Sequence, residues 1–329
     1  MHSPSPGGHK VRSPRIPVLA LLTAVLLAVP AQAATSADIP EGATPLSGGG
    51  YAQELSRPTP DWYTPELHKR VIAAGAEGVP IPADADIPAS GLAFTGIRPG
   101  AWMFFPSWCT MNFVFGGTST TSTTTTKAKA AGRTKAASGG GSGWYIGTAG
   151  HCTEVGDEVT LIAAPGVLMN IGKTVKSIDA GVGKDFALIE IYPEMVQYVN
   201  PSMTYWGGPT GTNYDPAVGD PVVHSGHGLG IGTGGTPRAG VVTYVGKGDN
   251  SAETAYGWDG AATPGDSGSA VRHANGLAEG NLTHLVVGTE YLPAFIAGTT
   301  AEYMEQLAGK LICDAPLVPN PLPAPTCAP

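Results

Sequence analysis

Three short segments of this 329-residue chain carry side chains that can do nucleophilic chemistry together: Thr148-Ala149-Gly150-His151-Cys152, Asp185-Phe186-Ala187-Leu188-Ile189 and Gly265-Asp266-Ser267-Gly268-Ser269. An unassisted serine hydroxyl is a weak nucleophile near neutral pH. It needs a base within hydrogen-bond reach, and the base needs a third group that fixes its tautomer and stabilises the imidazolium. The segments supply a histidine, an aspartate and a serine, and each part fits the chemistry of a serine hydrolase. Asp185 stands directly before the apolar run Phe186–Ile191, where a carboxylate can be held rigidly and partly desolvated. Its rival Asp179, in Ser177-Ile178-Asp179-Ala180-Gly181, reads as a turn residue accepting backbone hydrogen bonds. The small neighbours of Ser267 let backbone N–H groups approach a carbonyl.

The other histidines compete poorly for the role of base. His2 and His9 fall within an expected export signal and are lost with it, His68 falls on a short helix, and His224 and His227 flank Gly226 in a glycine-rich stretch with no carboxylate at useful spacing, so they read as loop histidines. A zinc site is a poor alternative, because no two of Cys109, Cys152, Cys313 and Cys327 have Cys-x-x-Cys spacing. No metal or organic cofactor is expected.

The elements that must hold these residues are mostly strands. Charged residues are only 13% of the chain, with 47 Gly and 30 Pro, a composition that suits short strands and many turns. The net charge is −8 and no basic stripe with interleaved aromatics occurs, which argues against nucleic acid as a partner. Strands are predicted at Asn112–Phe115, Trp144–Thr148, Glu158–Ala163, Gly172–Ser177, Phe186–Ile191, Pro221–His224, Val241–Val245 and Leu285–Thr289. The first two read as a hairpin. Between them, residues 117–143 form a low-complexity insertion of Thr, Ser, Gly, Ala and Lys, read as a solvated surface loop whose four cations could also touch anionic cell-wall polymers. A closing helix is expected from Thr299-x-x-Glu302 as a capping box, with Tyr303, Leu307 and Leu311 on one face.

The ends read as processed segments. Lys10, Arg12 and Arg15 precede the 12-residue apolar run Val18–Val29 and the small-x-small site Ala31-Gln32-Ala33, the pattern of a signal peptide over residues 1–33. The run is too short for a membrane anchor, which needs about 20 residues. A secreted, extracellular protein is therefore expected. Residues 34–95 form either an arm packed on the main domain or a removable pro-segment. They hold one helix signal, with Thr64 as N-cap, Pro65, then Leu67, Val71 and Ala74 on one face before Gly75. Residues 315–329 form a Pro-rich tail. Export permits disulfides, and four cysteines allow three pairings.

The three motifs, in the order His, Asp, Ser, resemble the trypsin/chymotrypsin family of serine peptidases, especially its compact secreted bacterial branch; the resemblance spans roughly 96–314. It implies an all-β fold of two Greek-key β-barrels with a C-terminal α-helix. His151 and Asp185 would sit in the first barrel, Ser267 in the second, and the site in the cleft between. It makes His151 the general base, Asp185 its orienting partner, Ser267 the nucleophile, and the amides of Gly265 and Ser267 the oxyanion hole. It implies a Cys109–Cys152 bridge that fixes the histidine loop, which leaves Cys313 with Cys327. Asp266 becomes a buried carboxylate in need of a cation: a new N-terminus, Arg98 or Arg238. The primary pocket would be lined by Ala261, Ala262, Thr263 and Pro264, with Ala261 as an uncharged floor. Cleavage of protein or peptide substrates after uncharged, apolar residues by a monomeric endopeptidase follows, unless Asp259 or Glu290 enters the pocket. The run Glu290-Tyr291-Leu292-Pro293 departs from the family pattern. That departure and the cationic insertion keep two alternatives open: an inactive homologue acting as an extracellular binding module, and an esterase.

Overall fold

The short apolar runs become strands of two antiparallel sheets in the computed structural model, which describes residues 39–46, 49–87, 95–116, 142–228, 237–248, 254–288, 294–320 and 327. The expected signal peptide, nearly all of the 117–143 insertion, most of the glycine-rich stretch before Arg238, Glu290–Pro293 and the end of the tail lie outside the described residues. In chain order the elements begin with β1 (Thr44–Pro45), β2 (Tyr51–Glu54), β3 (Arg57–Pro58), α1 (Pro65–Ala74), β4 (Val79–Pro80), β5 (Trp102–Phe105), β6 (Ser107–Thr110) and β7 (Val114–Gly116). Next come β8 (Tyr145–Thr148), β9 (Glu158–Ala164), β10 (Val167–Asp179), β11 (Asp185–Ile191), β12 (Pro221–Ser225), β13 (Pro237–Gly246) and β14 (Ala255–Asp259). The last are β15 (Ala270–His273), β16 (Ala278–Asn281), β17 (His284–Val287), β18 (Ala294–Thr299), α2 (Ala301–Ala308) and β19 (Leu311–Ile312).

One sheet runs β19-β7-β8-β11-β10-β9-β5-β6-β3, and the other β1-β2-β17-β18-β14-β13-β12-β15-β16. The first carries the histidine segment and Asp185; Ser267 lies in the turn between β14 and β15 of the second. The expected hairpin forms, with Val114 opposite Ile146 and Phe115 opposite Tyr145. Each sheet closes over its own apolar cluster, one around Met103, Ile146, Leu161 and Ile189, the other around Val242, Tyr256, Trp258 and Ile296. A third cluster joins them through Phe115, Phe186, Ala270 and Met304. No helix among the described residues is long and apolar enough to cross a membrane.

Helix α1 follows its sequence signals. The Thr64 hydroxyl accepts from the Leu67 N–H at 3.2 Å, Pro65 starts the first turn and Gly75 ends the helix. Leu67 and Val71 are buried against Trp102, Phe104 and Trp108 of the first sheet, which clamps this part of the arm to the domain. Thr64→Ala removes the cap and is expected to cost about 1 kcal/mol in urea denaturation.

Helix α2 differs from expectation. It starts one residue later, at Ala301 with Thr300 as N-cap, and buries Ala301, Met304 and Glu305. Thr299 is not a cap, because it ends β18 and its hydroxyl bonds the Asp185 backbone. Leu311 has left the helix for β19, where it is exposed.

Candidate active site

The histidine segment turns tightly between β8 and β9 and lies against β10. A Cβ on Gly150 would stand 1.9 Å from the Ile178 carbonyl oxygen, so only glycine permits that approach. The Cys109–Cys152 disulfide, with Cα atoms 6.3 Å apart, ties β6 to the residue after His151. The second bridge joins Cys313 to Cys327. Cys109, His151 and Cys152 lie close enough to suggest a metal cage, but the two sulfurs are bonded to each other and leave one imidazole.

Asp185 opens β11 and is fully buried. One carboxylate oxygen accepts from the Gly150 N–H at 2.5 Å and the His151 N–H at 3.2 Å; the other meets His151 Nδ1 at 2.6 Å. Behind it, Asn281 Nδ2 donates to the Asp185 carbonyl at 2.9 Å and the Asp185 N–H donates to Thr299 Oγ1 at 3.1 Å. Burial pushes this carboxyl up. The His151 charge and hydrogen bonds, the charge of His284 and the backbone N–H together outweigh burial and hold it below its usual range. Asp179 is exposed, sits opposite Asp185 at the end of the β10–β11 pair, and accepts a backbone hydrogen bond from Gly181.

His151 Nε2 lies 2.8 Å from Ser267 Oγ. With Nδ1–H given to Asp185, neutral His151 presents Nε2 as an acceptor and the serine hydroxyl donates to it. The same hydroxyl has a second acceptor, the Thr283 carbonyl, at 3.0 Å. Burial pushes the His151 pKa down, but Asp185, Glu54 and Asp179 together raise it above the usual value of 6.5. A base must be neutral to accept a proton, so activity is expected to fall as pH drops through this raised pKa. Glu54 contributes to the rise. In NMR titration of the uncleaved Ser267→Ala chain, Glu54→Gln should therefore move the His151 pKa toward acid, and a pKa unchanged by that substitution would contradict the assigned cause.

Ser267 is fully buried. Thr110 locks peptide units on both sides of Ser267: its N–H donates to the Ser267 carbonyl at 2.8 Å and its Oγ1 donates to the Gly265 carbonyl at 2.9 Å. Gly268 follows at φ +90°, and a Cβ there would meet the Thr110 oxygen at 2.1 Å. The N–H groups of Gly265 and Ser267 converge on one acceptor, the carbonyl oxygen of Leu55, at 2.6 and 3.1 Å.

Asp266 finds its cation in Arg238, not in Arg98 or an N-terminus. Arg238 Nη1 and Nη2 both reach the buried carboxylate, the latter at 2.9 Å. Arg98 instead donates to the Ser202 carbonyl. The Gly228 and Thr263 N–H groups also donate to Asp266, at 2.8 and 2.7 Å.

Ala261 is exposed, because the chain leaves β14 at Asp259 and Arg238 holds the Ala261 carbonyl at 3.2 Å. Pro264 is exposed too, Thr263 is half-buried, and Ala262 packs on the cluster of Val242, Tyr256 and Trp258. Asp259 is exposed. His224 is a fully buried strand residue and His227 stacks on Trp102 at 5.0 Å; burial lowers both imidazoles to about 4. His284 went unrecognised in sequence. Its Nδ1 lies 3.7 Å from Asp185, its ring 5.8 Å from that of His151, and burial lowers its pKa to about 4. Nothing in its sequence neighbourhood marks it, since it only opens an apolar strand.

No family model matches the chain, and no curated protein matches it. Solved structures similar to it include protease A of Thermobifida fusca, 17% identical with a TM-score of 0.44, covering 66% of this chain and 97% of that one. A Cellulomonas bogoriensis chymotrypsin is 18% identical, TM-score 0.41, covering 67% and 97%. A Nocardiopsis protease is 18% identical, TM-score 0.42, covering 66% and 98%.

Proposed function

We propose that this protein is a secreted serine endopeptidase that hydrolyses peptide bonds through an acyl-enzyme, working as a monomer without metal or organic cofactor. The observation that carries the reading is the hydrogen-bonded chain from Ser267 Oγ through His151 to Asp185, with two N–H groups converging on one carbonyl oxygen beside it. Ser267 attacks the scissile carbonyl and its proton passes to His151 Nε2. Asp185 stabilises the imidazolium that forms. The Gly265 and Ser267 N–H groups receive the developing oxyanion, and His151 returns the proton to the leaving amine. Water repeats the sequence on the ester.

Arg238 supports this reading, because it neutralises Asp266 from within the fold and no new N-terminus is needed to set the serine loop. A fluorophosphonate probe tests the proposal: it should label the wild-type chain at Ser267 and leave Ser267→Ala unlabelled. Absence of labelling and of peptide or ester turnover would favour a binding module. Turnover of esters without peptides would favour an esterase.

A further inference from the structure

Residues 51–58 run straight through the catalytic site. β2 pairs antiparallel with β17, with Glu54 opposite His284 and Tyr51 opposite Val287. At the end of that ladder the Leu55 N–H donates to the Thr283 carbonyl at 3.1 Å, and the Leu55 carbonyl oxygen receives both the Gly265 and the Ser267 N–H. The Leu55 side chain is 2% exposed and belongs to the apolar cluster of Val222, Val242, Tyr256 and Trp258. Past Leu55 the chain crosses to the other sheet. Arg57 pairs with Trp108, its guanidinium 4.7 Å from the ring centroid, and Pro58 pairs with Ser107.

A carbonyl oxygen held by the two N–H groups beside Ser267, an apolar side chain buried in the neighbouring cluster, and extended backbone bonded on both sides are what a bound peptide substrate requires. From this geometry, and resting on the peptidase reading above, we infer that Leu55–Ser56 is a self-cleavage site. The arm is the enzyme's first substrate, and its sequence reports the preference of the site: a leucine-class side chain before the cut and a cation two residues after it. The expectation of an apolar residue before the cut thus gains a different pocket, the Val242–Tyr256–Trp258 cluster in place of an Ala261 floor.

The step balances without a co-reactant beyond water. Ser267 Oγ bonds the Leu55 carbonyl carbon and passes its proton to His151. The Leu55–Ser56 C–N bond then breaks, and the proton goes to the Ser56 amine. Water attacks the Leu55 ester, His151 takes and returns a proton, and Leu55 leaves as a carboxylate. Everything before the cut is then held to the site by non-covalent contacts alone, those of β2, Leu55 and Leu46 among the described residues. Everything after it stays docked, since Thr59 Oγ1 donates to the Pro106 carbonyl at 2.7 Å and Tyr63, Leu67 and Val71 are buried. The cut therefore falls inside the arm, not at its junction with the domain near residue 95, and departure of the arm opens the site.

The test is intact mass and N-terminal sequencing of the purified full chain. Wild type should acquire an N-terminus at Ser56, and Ser267→Ala should stay continuous across Leu55–Ser56. Leu55→Asp puts a charge where no partner waits, and should slow appearance of the Ser56 terminus by about 100-fold. Because Leu55→Asp could misfold, the matured wild-type enzyme is also given the peptide Gln-Glu-Leu-Ser-Arg-Pro. Cleavage between Leu and Ser, and none when Asp replaces Leu, supports the inference. A wild-type chain that cuts other peptides yet stays continuous at 55–56, or a Leu55→Asp chain that matures at the wild-type rate, overturns it and leaves the peptidase reading standing. If neither wild type nor a folded Leu55→Asp chain labels with fluorophosphonate or cuts any peptide of a library, the peptidase reading itself has failed and the inference falls with it.

Discussion

Ser267→Ala should lower kcat on peptide substrates by on the order of 10⁶-fold, His151→Ala by a similar factor, and the double substitution by little more. On the peptidase reading Ser267 gives its proton to His151 across 2.8 Å, and Asp185, 2.6 Å from the other ring nitrogen, orients the imidazole and stabilises the imidazolium, so losing any member disables the rest. Asp185→Asn should cost about 10⁴-fold, because an amide can leave the imidazole in the wrong tautomer while keeping its position. The residual rate should remain above that of water, since the Gly265 and Ser267 N–H groups survive all three changes. Steady-state kinetics measures this on variant chains cut between Leu55 and Ser56 in trans by the wild-type enzyme, which is then removed. Additive losses, with the double substitution costing the product of the singles, would contradict a coupled triad.

The parts of the fold that were legible in sequence are those whose causes are local. Thr64-Pro65 and Gly75 delimit α1 because a cap hydroxyl, a fixed φ and a glycine at positive φ act within a few residues. The three chemical motifs stand out because each combines a reactive side chain with small neighbours. Strands β5, β14, β15, β16 and β18 are among those the sequence pattern does not mark; in β16, Ala278-Glu279-Gly280-Asn281 shows no apolar alternation, yet all four residues are buried. Its polar side chains are reached by distant groups: Asn213 donates to one carboxylate oxygen of Glu279 at 2.8 Å, and Asn281 bonds the backbone of Asp185 and Thr299. Thr299 looked like a helix cap because its local pattern allows one; a residue 114 positions away claims its hydroxyl instead. Leu55 and His284 became part of the site only through the pairing of β2 with β17, a contact between segments far apart in the chain that no short-range periodicity encodes.

Arg238→Met should destabilise the protein by about 3–5 kcal/mol, the usual result of leaving a buried charge without its partner. Asp266 is fully buried, and Arg238 is the cation that reaches it, through both terminal nitrogens. The same guanidinium holds the carbonyls of Ala261 and Gly226 at 3.2 Å each, so it also pins the segments on either side of the serine loop. Adding Asp266→Asn removes the uncompensated charge and should recover part of the loss, a coupling between residues in direct contact that urea denaturation of the single and double variants can measure. Activity should respond on its own scale. Asp266 lies between the two residues whose N–H groups form the oxyanion site, and a donor out of place there costs about 10²–10³-fold in kcat. Arg238→Met should therefore lower kcat at temperatures where the protein is still fully folded. An Arg238→Met chain as stable as wild type would mean that another group neutralises Asp266, and one that is destabilised yet fully active would separate the ion pair from the alignment of the two N–H groups.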